Sequence, residues 1–368
     1  MFAETVNGKA MTRDYAERRA RWEPLLEVTQ MKGDSEAHPF LSPEDEFADF
    51  ETWDSVNIAG VSKEDSMLQY EYVRSAFRKG LQLEQKLGVN PFKSGMIGSS
   101  DTHTSMSTTR EDNFFGKLPH VEPSAKRAEE IMLRNKKTGE TVISIWESSA
   151  SGLVGVWARE NTRESIFDAM MRKEVYATSG SRITVRVFAG WDFKDSEVET
   201  QNFAKIGYAR GVPMGGNLKK APKGKAPTFM IRGMRDPDNA YLDRVQIIKG
   251  WLDKKGKTHE RIYDVAVSDG RKIGKNGRCK TPVGSTVNIP DASYTNTIGD
   301  PLLTAYWKDP DFDPKEKAFY YVRVIEIPKP RWTAYDAKFF NIEMPKEVRM
   351  VVQDRAYTSP IWYDPSGK

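Results

Sequence analysis

Cysteine and histidine are both scarce in this chain, and each shortage narrows the chemistry. A single cysteine, Cys279, stands among 368 residues, so neither an internal disulfide framework nor a thiolate-rich zinc site can form. Cys279 lies in the Gly- and Lys-rich run GKNGRCKTP with no histidine near it in sequence, which argues against an activated thiol. No run approaches the ~18 apolar residues of a membrane-spanning helix, and the opening MFAETVNGKAMTRDYAERRARW has no apolar stretch of the kind a secretory leader carries. A cytoplasmic and a periplasmic location are both compatible with that. An excess of one charge is missing too: 56 basic and 52 acidic residues leave a net +4, too even to point to nucleic acid. The motifs H-E-x-x-H, G-x-G-x-x-G and G-x-S-x-G and the phosphate-binding Walker loop are all absent.

What is there fits a soluble globular protein, with 38% hydrophobic and 29% charged residues. The length suits two domains or one large one. Up to about residue 180, helical patterns alternate with short apolar runs. Thr12 is placed to cap a helix through Trp22, and LLEVTQM (25–31) reads as a buried strand ended by Gly33. Ser62 and Asp65 resemble a capping box. Met67, Tyr70, Val73, Phe77, Leu81 and Leu87 follow at mostly helical spacing, with Gly88 as the stop. SGMIGSS (94–100) predicts a short strand, 124–134 a short helix and GLVGVWA (152–158) another strand. Asn161 and Glu164 suit the N-cap and N3 positions of a helix to about Lys173.

After Gly180 the period becomes two. In RITVRVFAG, Ile183, Val185 and Val187 alternate with Thr184 and Arg186. TFMIRG, DRVQIIKGW, RIYDVAVSDG and FYYVRVIEI follow, separated by turns rich in Gly, Pro and Asp. The apolar, aromatic ending RAYTSPIWY predicts a paired strand. The expected division is 1–182, an α/β unit, and 183–368, a mainly antiparallel β domain. The basic run NLKKAPKGKAP reads as a solvated loop in preference to an anion-binding surface.

Four histidines are present: His38, His103, His120 and His259. Two follow a carboxylate by two positions, Glu36 before His38 in KGDSEAHP and Asp101 before His103 in GSSDTHTS. In extended backbone, residues i and i+2 share a face, so each pair can aim an oxygen and a nitrogen at one ion. Both pairs follow an apolar strand, where α/β barrels carry their active residues. With 52 acids in 368 residues the spacing also arises by chance. Trp191 and Trp251 are candidate sugar platforms or, more simply, packing residues.

The run GSSDTHTS resembles the closing Asp-x-His metal motif of the PHP (polymerase and histidinol phosphatase) superfamily. The chain is similar more broadly to a bacterial domain-of-unknown-function family, number 3604. The similarity lies in RDYAERRARWEPLLEVTQMKGDSEAHPFLSPEDEFADFE, GSSDTHTS, GLVGVWARENTRESIFDAMMRKEVYATSGSRI, FYYVRVIEIPKPRW and RAYTSPIWY. The resemblance implies a distorted β/α barrel with a clustered metal site, followed by a β domain. It also implies an opening His-x-His strand and further His and Glu ligands, none of which this chain contains. The expectation is therefore the C-terminal part of such a barrel.

On this reading the function is metal-dependent hydrolysis of a small phosphoester or other ester. Asp101 and His103 are expected as metal ligands, Glu36 and His38 as further ligands or groups behind them, and His120 as proton donor to the leaving group. Nitrogen and oxygen donors without thiolate fit Zn, Mn or Fe. Arg159, Asn161 and Arg163, in RENTR at a helix start, are expected to hold an anion, or otherwise only to cap the helix. The open edge of the 25–31 strand invites self-association into a homo-oligomer. Two rivals stand beside this reading. One is a polymer- or partner-binding β module on a truncated barrel. The other is a metal-dependent hydrolase of a sulfate ester, amide or lactone.

Overall fold

The apolar run at 25–31 forms the strand Leu25–Gln30, which pairs in parallel with Gly95–Gly98. A parallel pair needs a crossover, and here it contains the helix Val73–Leu87. Val73, Phe77 and Leu81, four residues apart, form its buried stripe. Gly88 ends it in the left-handed region at φ 75°, where glycine carries no Cβ penalty. The helix does not begin at Ser62. A short helix, Asp65–Leu68, is followed by a break, because the N–H groups of Val73 and Arg74 donate to the carbonyls of Ser35 (2.8 Å) and Glu36 (3.1 Å). The other edge of Leu25–Gln30 pairs at Thr29 and Gln30 with Gly33–Asp34, and the Ser35 N–H donates to the Val28 carbonyl at 2.7 Å. Thr12 caps Arg13–Trp22 as expected, its hydroxyl accepting the Tyr15 N–H at 3.3 Å. These elements belong to a computed structural model, which describes residues 4, 7–57, 60–135 and 138–367.

The helix expected over 124–134 does not form. Arg127–Glu129 makes one 3-10 turn and Ile131–Arg134 is a strand paired with Thr141–Ser144. Arg127 explains the change: its buried guanidinium grips the Asp336 carboxylate and the Phe114 carbonyl (2.9 Å), and this distant anchoring overrides local helical propensity.

An eight-stranded, largely antiparallel sheet forms the middle of the molecule. Lys317–Glu326 is its central strand, flanked by Leu242–Leu252 on one side and by Arg355–Thr358 and Ile361–Tyr363 on the other. Along Lys317–Glu326, Ala318, Tyr320, Val322 and Val324 face one side and Phe319, Tyr321 and Arg323 the other. The first face packs on a four-stranded sheet, Leu302–Lys308, Thr228–Met234, Thr184–Gly190 and Gly211–Pro213, through Val185, Val187, Ile231, Val245 and Ile247. The second face packs on the α/β layer through Val28, Phe77, Leu81 and Met96. Ile183, Val185 and Val187 are buried and Thr184 and Arg186 half-buried, as the alternation predicts. The RAYTSPIWY segment is two paired, buried strands.

The fold is thus mixed α/β, without a closed barrel among the described residues. The position 182/183 falls between Val175–Thr178 and Thr184–Gly190, which belong to different sheets. The large sheet nevertheless draws on both sides of it, because Val175–Thr178 pairs with Arg355–Thr358. No helix among the described residues is long and apolar enough to cross a membrane.

Candidate functional site

Asp101 and His103 follow the strand Gly95–Gly98, beside the turn that leaves its parallel partner Leu25–Gln30. Gly98 makes the close approach possible: a Cβ there would lie 2.3 Å from Thr29 Oγ1 and 2.6 Å from the Leu153 carbonyl. At Asp101 the chain turns through φ 53°, and the two side chains meet, His103 Nε2 lying 3.3 Å from Asp101 Oδ1. Two ammonium groups share the other carboxylate oxygen. Lys117 Nζ is 2.6 Å from Oδ2 and 2.7 Å from the Asp101 carbonyl, and Lys32 also pairs with Oδ2. The His103 N–H donates to the Lys117 carbonyl at 2.8 Å, and the imidazole stays 55% exposed.

Electrostatics at this cluster follow from geometry. Partial burial alone would raise the Asp101 pKa, but hydrogen bonds and charge from Lys117 and Lys32 outweigh it and hold the carboxyl below its ordinary value. Burial lowers the Lys117 pKa; the Asp101 hydrogen bond offsets part of this and the Lys32 charge adds to it. Glu27, on the Leu25–Gln30 strand, accepts from the Ser99 hydroxyl and lies close enough to act on Lys117. Sequence reasoning passed over Lys32, Lys117 and Glu27. Only Glu27 carried a signal, as a charged residue inside an apolar strand run.

A zinc-type hydrolytic site takes three or so protein ligands and leaves a position for water. Asp101 and His103 could supply at most two. Among the described residues no three His, Cys, Asp or Glu side chains are placed to hold an ion. These side chains therefore fit part of a coordination shell and do not by themselves complete one.

The other sequence candidates have different partners. Glu36 is buried, with Oε1 held by Arg74 and the Tyr321 hydroxyl and Oε2 by Arg323 at 3.0 Å. Asp45 bridges the same two arginines. Burial works against ionisation of Glu36, yet the two guanidiniums prevail and keep its pKa low. His38 has both ring nitrogens engaged: Nδ1 accepts the Phe40 N–H at 3.1 Å and Nε2 lies 3.0 Å from Asp54 Oδ2. Glu36 and His38 do not join Asp101 and His103 in a group of three or more side chains placed to hold one ion, among the described residues. The segment 36–38 is a bend and irregular backbone and not a strand, and Glu36 and His38 take different partners. His120 is exposed on the 3-10 turn Pro119–Val121 and makes no hydrogen bond to Asp101 or His103.

At RENTR the N-cap is Thr162, one residue beyond Asn161, and its hydroxyl accepts the Ser165 N–H at 3.3 Å. Ser165 Oγ accepts from the N–H groups of Arg159 and Glu160, and Arg159, Asn161 and Arg163 are exposed. Trp191 packs on Phe312 and Tyr363, and Trp251 stacks on His259. Cys279 is buried, its thiol 3.5 Å from the Thr281 carbonyl. Lys219, Lys220, Lys223 and Lys225 of the basic run are exposed.

The family model described as Protein of unknown function (DUF3604) matches residues 1–365, and the chain belongs to that family. No curated protein matches the chain.

Proposed function

We propose that this family member carries one part of the site of a metal-dependent hydrolase acting on a small phosphoester, framed by a partial PHP-like β/α barrel over 1–182 and followed by a β-rich domain over 183–368. The observation that carries this reading is the meeting of Asp101 and His103 just past the C-terminal end of one of two parallel strands joined through a helix. That is the end at which α/β barrels collect their active residues. Asp101 and His103 are assigned as two ligands of a Zn, Mn or Fe ion, which when bound acidifies a water and stabilises charge on phosphoryl oxygens. The remaining ligands are not supplied by the described residues.

The surroundings favour an anionic substrate. Lys32 and Lys117 meet at the Asp101 carboxylate, with Glu27 as the second acid acting on Lys117, so the cluster is balanced in charge and its two ammonium groups are the donors a phosphoryl group would meet. A cavity of about 370 Å³ opens beside Lys32, lined also by Asp34, Lys63 and Tyr72. The half-exposed His103 imidazole is accessible to a ligand from solvent.

The test combines metal analysis with an ester panel. Purified chain is titrated with Mn²⁺ and Zn²⁺ by calorimetry and assayed on p-nitrophenyl phosphate, bis-p-nitrophenyl phosphate, p-nitrophenyl sulfate and p-nitrophenyl acetate. Two ligands predict weak, sub-stoichiometric metal and slow phosphoester turnover, both lost in Asp101→Asn and in His103→Gln. Preference for sulfate or acetate moves the assignment to another ester class. Metal binding unchanged in both variants removes the ligand assignment.

A further inference from the structure

A second cavity, of about 770 Å³, lies where the segment after the strand Leu153–Val156 meets the strand Thr184–Gly190 and the helix Phe203–Arg210. Its walls include Trp157, Arg159, Arg172, Glu174, Arg186 and Tyr208. Three guanidiniums thus face one carboxylate, and that carboxylate is already engaged. Glu174 is buried and accepts the Tyr208 hydroxyl, with Arg172 at 3.6 Å.

Arg186 is the fixed element. Its Nη2 donates to the Tyr208 oxygen at 2.7 Å, which completes a relay from Arg186 through Tyr208 to Glu174. The guanidinium carbon lies 4.1 Å from the centre of the Trp157 ring and 5.3 Å from that of Tyr208, within cation–π range of both. The indole is itself pinned by its N–H to the Val185 carbonyl at 3.0 Å. Arg186 Nε is buried and has no hydrogen-bond partner among the described residues. Nε is closed to solvent and Nη2 is shared with Tyr208, so a ligand is met by the remaining N–H groups of the planar guanidinium, which suit a carboxylate, sulfate or phosphate group. Arg159 and Arg172, more exposed, add charge around it.

We propose that this cavity binds a small, metabolite-sized molecule bearing an oxyanion. Arg186 is the forked donor, Arg159 and Arg172 are outer charges, and the Trp157 and Tyr208 rings are apolar walls for the ligand's body. The volume falls within the range of roughly 300–1,000 Å³ in which small-molecule sites lie. Asp101 and His103 do not line this cavity, so the inference stands or falls independently of the hydrolase reading. The sequence expectation of an anion at RENTR touches it only through Arg159.

Calorimetry on the full chain tests it, with inorganic phosphate, inorganic sulfate, glucose 6-phosphate, glucose 6-sulfate and glucuronate as probes. The expected result is binding of at least one probe with Kd below about 1 mM, weakening as salt is raised. The bound probe identifies the anion, and a sugar anion stronger than its inorganic ion shows that the body is held as well. Arg186→Gln lowers affinity at least about tenfold and Arg186→Lys fails to restore it, because a point ammonium lacks the fork. Lys223→Gln, in the exposed basic run that lines neither cavity, binds like the parent. If Arg186→Gln does not fold, the exposed-side variants Arg159→Gln and Arg172→Gln decide, each expected to weaken binding by about threefold or more. No binding of any probe up to about 10 mM overturns the proposal. So does undiminished binding in a folded Arg186→Gln chain or, where that chain does not fold, in both outer variants.

Discussion

Replacing Asp34 by asparagine should remove close to one proton's worth of pH dependence from the stability of this protein between pH 4 and 7. Asp34 sits at the turn after Leu25–Gln30, almost fully buried. One oxygen accepts the Glu36 N–H at 2.7 Å, while Oδ2 is buried without a partner. Burial, with the Glu36 charge adding to it, pushes the carboxyl from 3.8 up to about 7, against a smaller pull from its backbone hydrogen bond, Arg355 and Tyr357. The Tyr357 hydroxyl, also buried, forms no well-directed bond, and a protonated Asp34 suits that place better than an ionised one. A raised carboxyl gives stability that is full below the unfolded pKa and lost as pH rises through the folded one. A shift of about three pKa units at ~1.36 kcal/mol each amounts to ~4 kcal/mol lost between pH 4 and 7. Glu111, pushed up to about 8, and Glu326, up to about 7, act in the same direction and set a background slope. Asparagine has the shape of the protonated acid and does not ionise. Urea midpoints measured at several pH values from 4.5 to 8.5 should therefore be similar for parent and variant at the acid end. They should diverge in favour of the variant toward pH 8, by up to ~1.4 kcal/mol per pH unit on the way. Parallel profiles for the two proteins would refute the reasoning.

Arg323→Met should cost ~3–5 kcal/mol by strand-buried charge loss, because it leaves Glu36 and Asp45 buried with Arg74 as their main remaining counter-charge; chemical denaturation reads this, and a loss under ~1 kcal/mol contradicts it. Deleting residues 353–368 removes Arg355–Thr358 from between Lys317–Glu326 and Val175–Thr178 and should abolish cooperative unfolding followed by near-ultraviolet circular dichroism. Lys117→Met leaves Asp101 with Lys32 as its one ammonium partner and should move the Asp101 titration upward, because Lys117 supplies the largest of the pulls that hold it low; carboxyl-carbon NMR showing no movement would mean that Lys32 alone sets it.

What could be read from the sequence followed from local periodicity. The strands at 25–30 and 95–98 come from apolar runs, and the 183–187 alternation fixes which side chains enter the core. The meeting of Asp101 and His103 comes from two residues separated by one position in a single loop. What could not be read depends on distant partners. Glu36 looks like a ligand by spacing, yet its direction is set by Arg74 and Arg323, 38 and 287 residues away. Lys117 lies in a loop, FFGKLPH, with no period to mark it among 56 basic residues. The helix Phe203–Arg210 has no strong amphipathic stripe, burying only Phe203 and Gly207, so its sequence was silent. The Arg186 cavity needs a strand, a loop and that same helix at once, and no sequence window contains all three.

The buried ion network is also where fold and site join. The segment 32–38 carries Lys32 at one end and is fastened at four further points. Asp34 Oδ1 closes its turn on the Glu36 N–H, and Ser35 and Glu36 offer their carbonyls to the first N–H groups of Val73–Leu87. The Glu36 carboxylate reaches across to Arg323 on the central strand of the large sheet, and His38 locks the exit through Phe40 and Asp54. A segment held at so many points has little freedom to wander, so the Lys32 ammonium is delivered to Asp101 by groups that never approach Asp101 themselves. It follows that Glu36, the residue that sequence spacing presents as a ligand, bears on the site from behind. Its ion pairs hold in register the turn from which Lys32 projects. Loosening those pairs should weaken the Lys32–Asp101 contact before the strand pair Leu25–Gln30 and Gly95–Gly98 comes apart, because that pair has its own backbone ladder and the packing of Val28 and Met96 to sustain it.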